Sequence, residues 1–201
     1  MKLHLRFYLW YKLLNSFFFG LAVGSVFVLY TPLEPSVFSL WGIGLAIGLF
    51  VVAKKYEKMM NLFVFFAVTL GVEVIALLIV FSVLWFNISY ANALFIYIAY
   101  QVTFIFGNYL MRMETLVLKK TMLLSFTDAA KQKGYLLGMV ASYFFYKTIG
   151  FLGVMEKQTQ VYLLHVGLLC VELLILFLIL RAFRLQQSSY TFTYNTNFTK
   201  A

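Results

Sequence analysis

Six stretches of this chain are apolar for long enough to cross a lipid bilayer: residues 8–30, 36–53, 59–86, 92–118, 134–154 and 161–180. A helix rises about 1.5 Å per residue, so about 20 apolar residues span a hydrocarbon core of about 30 Å. The predicted fold is therefore an all-α integral membrane protein with six transmembrane helices. Of the 201 residues, 63% are hydrophobic and only 11% are charged, where a soluble domain carries roughly a quarter charged residues. So few charges cannot cover a surface in water. That excludes a soluble globular enzyme, a disordered chain and a disulfide scaffold. The breaks between stretches are local: Thr31-Pro32-Leu33-Glu34-Pro35, Lys54-Lys55-Tyr56-Glu57-Lys58, Asn87-Ile88-Ser89-Tyr90, a polar stretch containing Lys119, Lys120, Asp128, Lys131 and Lys133, and Met155-Glu156-Lys157-Gln158. Residues 186–201, rich in Ser, Thr, Asn, Tyr and Gln, are predicted to be a disordered cytoplasmic tail. The six-helix domain then covers residues 1–185.

The charge has a direction. Lys and Arg total 16 against 7 Asp and Glu, a net charge of +9. Lys2 and Arg6 precede the first stretch, and Lys12 lies at its start. Lys54, Lys55 and Lys58 lie after the second, Arg112, Lys119, Lys120, Lys131 and Lys133 around the end of the fourth, and Arg181, Arg184 and Lys200 after the sixth. The three intervening connections hold only Lys157. Under the positive-inside rule both termini are cytoplasmic, in a multi-pass protein of the plasma (inner) membrane. The excess is read as topology, with no nucleic-acid partner. Tyr8, Trp10 and Tyr11 fit an inner aromatic belt, and Tyr30, Trp85, Tyr90 and Tyr162 an outer one. The unbroken run from Leu13 to Tyr30 is longer than a signal-peptide core and is read as a retained helix. The single cysteine, Cys170, is read as a small packing residue.

Ionisable residues at depth are costly and point to function. Counting at 1.5 Å per residue puts Glu73, Gln101 and Glu172 at one level near the midplane, and Lys147 and His165 roughly 8–10 Å outside it. His165 and Glu172 are seven apart and share a helix face. Gln101, Asn108 and Arg112 follow seven-then-four spacing, and Tyr143 and Lys147 are four apart. Such stripes must turn toward other helices or water. The transport-pathway candidates are Glu73, Gln101, Asn108, Lys147, His165 and Glu172. Arg112 and Glu114, at a helix end, are candidates for a cytoplasmic gate. The blander alternatives are a snorkelling Lys147, a His165 bound to a backbone carbonyl and a static Lys147–Glu172 ion pair.

Small residues allow close helix approach. Gly20 and Gly24, Gly44 and Gly48, and Gly134 and Gly138 are spaced four apart, and Gly150 and Gly153 follow in the fifth stretch. Their concentration in the second and fifth stretches fits two inverted three-helix repeats, an arrangement common in transporters. No HExxH, GxSxG or Walker A motif is present. His4 and His165 lie too far apart in depth to hold a haem together. No enzyme activity, cofactor or metal site is expected.

Six spans, a short outer loop after the first and a long basic loop between the fourth and fifth resemble one half of a major facilitator superfamily transporter. Lys133-Gly134-Tyr135-Leu136-Leu137-Gly138 is similar to that family's charged loop and Gly-rich start of the fifth helix. Gly44 and Gly48 followed by Lys54, Lys55 and Lys58 resemble the family's loop after the second helix, without its aspartate. The resemblance implies a transporter subunit moving a small solute or ion by alternating access, as a homodimer of halves or with a missing second half. The competing reading is a non-transporting scaffold or assembly subunit of an inner-membrane complex.

Overall fold

The computed structural model describes residues 2–184, so the expected polar tail lies outside the described residues. The fold is all-α. The helices are α1 (Leu5–Leu29), α2 (Pro35–Lys54), α3 (Tyr56–Met59), α4 (Leu62–Trp85), α5 (Tyr90–Ile105), α6 (Gly107–Leu118), α7 (Thr121–Phe151) and α8 (Lys157–Ala182). Five helical stretches are long and apolar enough to cross a membrane: α1, α2, α4, α5 together with α6, and α8. They fit a multi-pass membrane protein.

Helix ends follow local chemistry. Pro35 occupies the first turn of α2, where its missing N–H costs nothing. Asn61 and Ser89 cap α4 and α5 through their side-chain oxygens, which accept from Val64 N and Asn92 N. Asn92 then closes the end of α4, its Nδ2 donating to the carbonyls of Ser82 (3.2 Å), Phe86 (3.4 Å) and Asn87 (3.3 Å). Asn92→Leu strands those carbonyls and is expected to cost about 1–3 kcal/mol, measurable as a lowered unfolding temperature in detergent.

Two stretches depart from the sequence reading. Residues 92–118 form two helices, broken at Phe106 between α5 and α6. Thr103 Oγ1 donates back to the Tyr100 carbonyl at 2.7 Å and Gly107 follows, both of which favour a bend. The break ends the common stripe expected for Gln101, Asn108 and Arg112. The other departure is α7. Its helix begins at Thr121, so the polar stretch expected to precede residues 134–154 is its first turns. Thr127, Gly134, Gly138 and Ser142 form one buried face, seven and then four apart, while Asp128 and Lys133 stay exposed.

α1 is the central helix. It packs along α7 and α8, α4 packs against α8, and α5 lies against both α2 and α4. The α1–α7 seam is a backbone contact. A Cβ on Gly134 would meet the Leu13 carbonyl, one on Gly138 the Phe17 carbonyl, and one on Gly20 the Tyr135 carbonyl. The close approach therefore joins the first and fifth apolar stretches. In α2, Gly42 has open space, Gly44 meets Trp41 of its own helix, and Gly48 faces the Ile105 side chain.

Strand β1 (Lys2–Leu3) pairs antiparallel with β2 (Phe183–Arg184), and His4 N donates to the Ala182 carbonyl at 2.7 Å. The start of α1 and the end of α8 thus lie at the same end of the bundle. Phe183 seals that end against Phe65 and Phe66, with ring centroids 5.5 and 5.3 Å away. Cys170 is exposed on α8 rather than packed in the core.

Candidate functional site: a buried acidic layer

The helix faces converge on two polar layers. The inner one centres on Glu73, midway along α4 and 2% exposed. Its Oε1 accepts from Tyr11 Oη at 2.9 Å and Asn15 Nδ2 at 2.7 Å, both on α1. Glu172 of α8 is 0% exposed, and neither of its carboxyl oxygens has a hydrogen-bond partner among the described residues. It lies within electrostatic reach of Glu73 and of Tyr100. Counting from the Phe65–Phe183 contact, Glu172 stands about one turn, ~5 Å, beyond Glu73 along the α4–α8 seam. Counting from the Asn92–Ser82 bond, Gln101 comes level with Glu73. The Gln101 Oε1 is also buried without a partner.

The second layer lies about 10 Å nearer the termini, the rise from Asn15 back to Tyr8. Glu114 of α6 is buried there. Its Oε2 accepts from Tyr8 Oη at 2.6 Å and pairs with Lys12 Nζ at 2.8 Å. Its Oε1 pairs with Lys131 of α7, which also reaches Asp128 at 3.1 Å. Here the acid has two cations. In the inner layer, neutral donors serve Glu73 and nothing serves Glu172, so the interior holds a surplus of carboxyl groups.

The remaining candidates lie apart. His165 faces inward, as its spacing from Glu172 requires, but its Nδ1 donates to the Val161 carbonyl of its own helix at 2.7 Å. Lys147 is on the exposed face of α7, its ammonium 5.9 Å from the Tyr143 ring. Because α1 lies between α7 and α8, no Lys147–Glu172 pair forms. Asn108 and Arg112 are exposed, with the Arg112 guanidinium 5.5 Å over the Tyr56 ring. Arg112 and Glu114 do not act as a pair, since helix positions two apart point to different sides.

The partners on α1 were not foreseen. The sequence pattern puts Tyr8 and Tyr11 in an inner aromatic belt and counts Lys12 among the cytoplasmic basic residues around the start of the first stretch. Both tyrosines are buried, and it is Trp10 that faces outward. The signal was present, since Tyr8, Tyr11, Lys12 and Asn15 fall at i, i+3, i+4 and i+7, one polar stripe on a helix. Among the described residues, no three of His, Cys, Asp and Glu converge as a metal site requires. No family model, curated protein or solved structure matches the chain.

Proposed function

We propose that the chain is a six-crossing subunit of a membrane transporter, similar to one half of a major facilitator superfamily protein, that moves a small solute or ion by alternating access. The observation that carries this reading is Glu172, a carboxyl buried in the bundle with no partner and a second carboxyl beside it. A static subunit gains nothing from such a group, because an apolar residue of similar volume there is neutral or stabilising. An intramembrane acid facing the bundle interior fits a site that a cation or proton visits.

The sixth crossing is the second part of α7, residues 134–151, which joins the other helices through its glycine seam with α1. An even number of crossings is supported by the β1–β2 clasp, which joins the start of α1 to the end of α8. The basic residues gather at that same end, which favours a cytoplasmic location for both termini in a plasma (inner) membrane. α2 buries only Val52 within this chain. That leaves it free to meet a second copy or a separate second half.

Alternating access is testable without knowing the substrate. In a Cys170→Ser background, Gln101→Cys is expected to react with a membrane-impermeant maleimide from either face, in right-side-out and in inverted vesicles. Labelling from one face only, or from neither, would retire the transport reading in favour of a static scaffold.

A further inference from the structure

Gln101 lies on the wall of a cavity of about 250 Å³ between α1 and α5. Phe19 lines it from α1 and Tyr30 from the residue that follows α1, and Tyr97, Tyr100 and Phe104 line it from α5. Tyr30 and Tyr97 meet edge to face at 5.3 Å, and Tyr100 stacks on Phe104 at 6.4 Å. The cavity opens on the bundle surface past Phe104 and Tyr135, both exposed. No lining residue is charged. Glu172, unpartnered among the described residues, lies within electrostatic reach of Tyr100, and Glu73 within reach of Glu172.

Three ligand classes can be weighed against this arrangement. An anion would find no basic side chain on the wall. A bare metal ion needs six or more oxygens around it, which aromatic walls do not supply. An organic cation needs ring faces for its body and an acidic group near enough to balance its charge; the rings line the cavity, and the Glu172 carboxyl lies within electrostatic reach of Tyr100.

We infer that this cavity binds a small lipophilic organic cation, an arylalkyl ammonium or quaternary ammonium, against the rings of Tyr97, Tyr100 and Phe104, with the Glu172 carboxyl as the group that balances its charge. The inference names the substrate class of the transport reading and rests on that reading for the fate of the bound cation. The site itself is measured at equilibrium. Gln101 Oε1, an acceptor with no internal partner, is then met by the ligand or by the water that accompanies it.

The test uses the purified full chain in detergent and radiolabelled benzyltrimethylammonium in equilibrium dialysis. Saturable binding is expected, weakened at least tenfold by Glu172→Gln. Phe104→Leu, a change at an exposed position that leaves the core intact, is expected to weaken it several-fold. Neopentylbenzene, the uncharged analogue of the same shape, is expected to compete at least tenfold less well. Absence of saturable binding by the folded chain overturns the inference. So does wild-type affinity in both variants, or equal competition by the neutral analogue, which would make the cavity merely apolar. Binding together with one-sided labelling of Gln101→Cys keeps the cation site and retires transport. Two-sided labelling without binding does the reverse.

Discussion

Gly138→Leu is expected to destroy the bundle. A side chain forced into a well-packed core costs about 1–3 kcal/mol when its neighbours are side chains that can turn aside. At Gly138 the neighbours are the Phe17 carbonyl and the Leu21 amide nitrogen, backbone atoms of the central helix. They move only if α1 as a whole moves, and α1 also carries the contacts to α8 and the hydrogen bonds to Glu73 and Glu114. The cost should therefore exceed about 3 kcal/mol, and the variant should lose its monodisperse peak in size exclusion well below the wild-type temperature. Gly150→Leu is the matched control. It lies on the same helix with open space around it and should behave as wild type. A Gly138→Leu variant with wild-type thermal behaviour would mean that α1 and α7 are not in backbone contact.

The contrast between these two glycines marks what could be read from the sequence. Spacing of four identified Gly20, Gly134 and Gly138 as candidates for close approach, but the same spacing flagged Gly44, and Gly150 lies near the same helix end. Which glycines meet a partner depends on which helices are neighbours, and spacing within one helix carries no such information. The apolar stretches themselves were legible because oil imposes a length and excludes charge. Residues 36–53 became α2 with one residue added at each end, and 161–180 became the centre of α8. Depth was legible to within a turn: Gln101 comes level with Glu73, while Glu172 stands about one turn away from the single level expected for all three. Azimuth was less so. Lys147 has the depth of a pathway residue but the wrong side of α7, and the bend at Phe106 rotated Asn108 and Arg112 outward. The long helical start of α7 was missed because its polar residues read as a loop. Its buried face is made of Thr127 and glycines, which no hydropathy pattern marks.

The second large effect concerns Glu114, whose replacement by alanine is expected to cost about 3–5 kcal/mol, as for a buried ion pair that loses one member. Lys12 has a side chain only 13% exposed and would be left without the acid it pairs with among the described residues, beside the orphaned hydroxyl of Tyr8. Lys131 would fare better, since it is more exposed and keeps Asp128. The triple variant Tyr8→Phe, Lys12→Met, Glu114→Leu removes the polar groups together and should recover most of the loss, because the damage lies in the stranded charge. Failure of the triple variant to recover would instead mean that the layer contributes directional contacts an apolar set cannot replace. Glu114→Gln separates stability from function. It keeps an acceptor for Tyr8 but removes the charge that ties α6 to α1 and α7 at the terminal end of the bundle. If that tie closes the basic face, its loss should raise the labelling rate of Gln101→Cys from that face by about tenfold for each 1.4 kcal/mol of closure energy removed. Labelling from the opposite face should fall in step, because in a two-state carrier the populations exchange. A rise on both faces would indicate a loosened bundle, and no change on either would make Glu114 a structural residue alone.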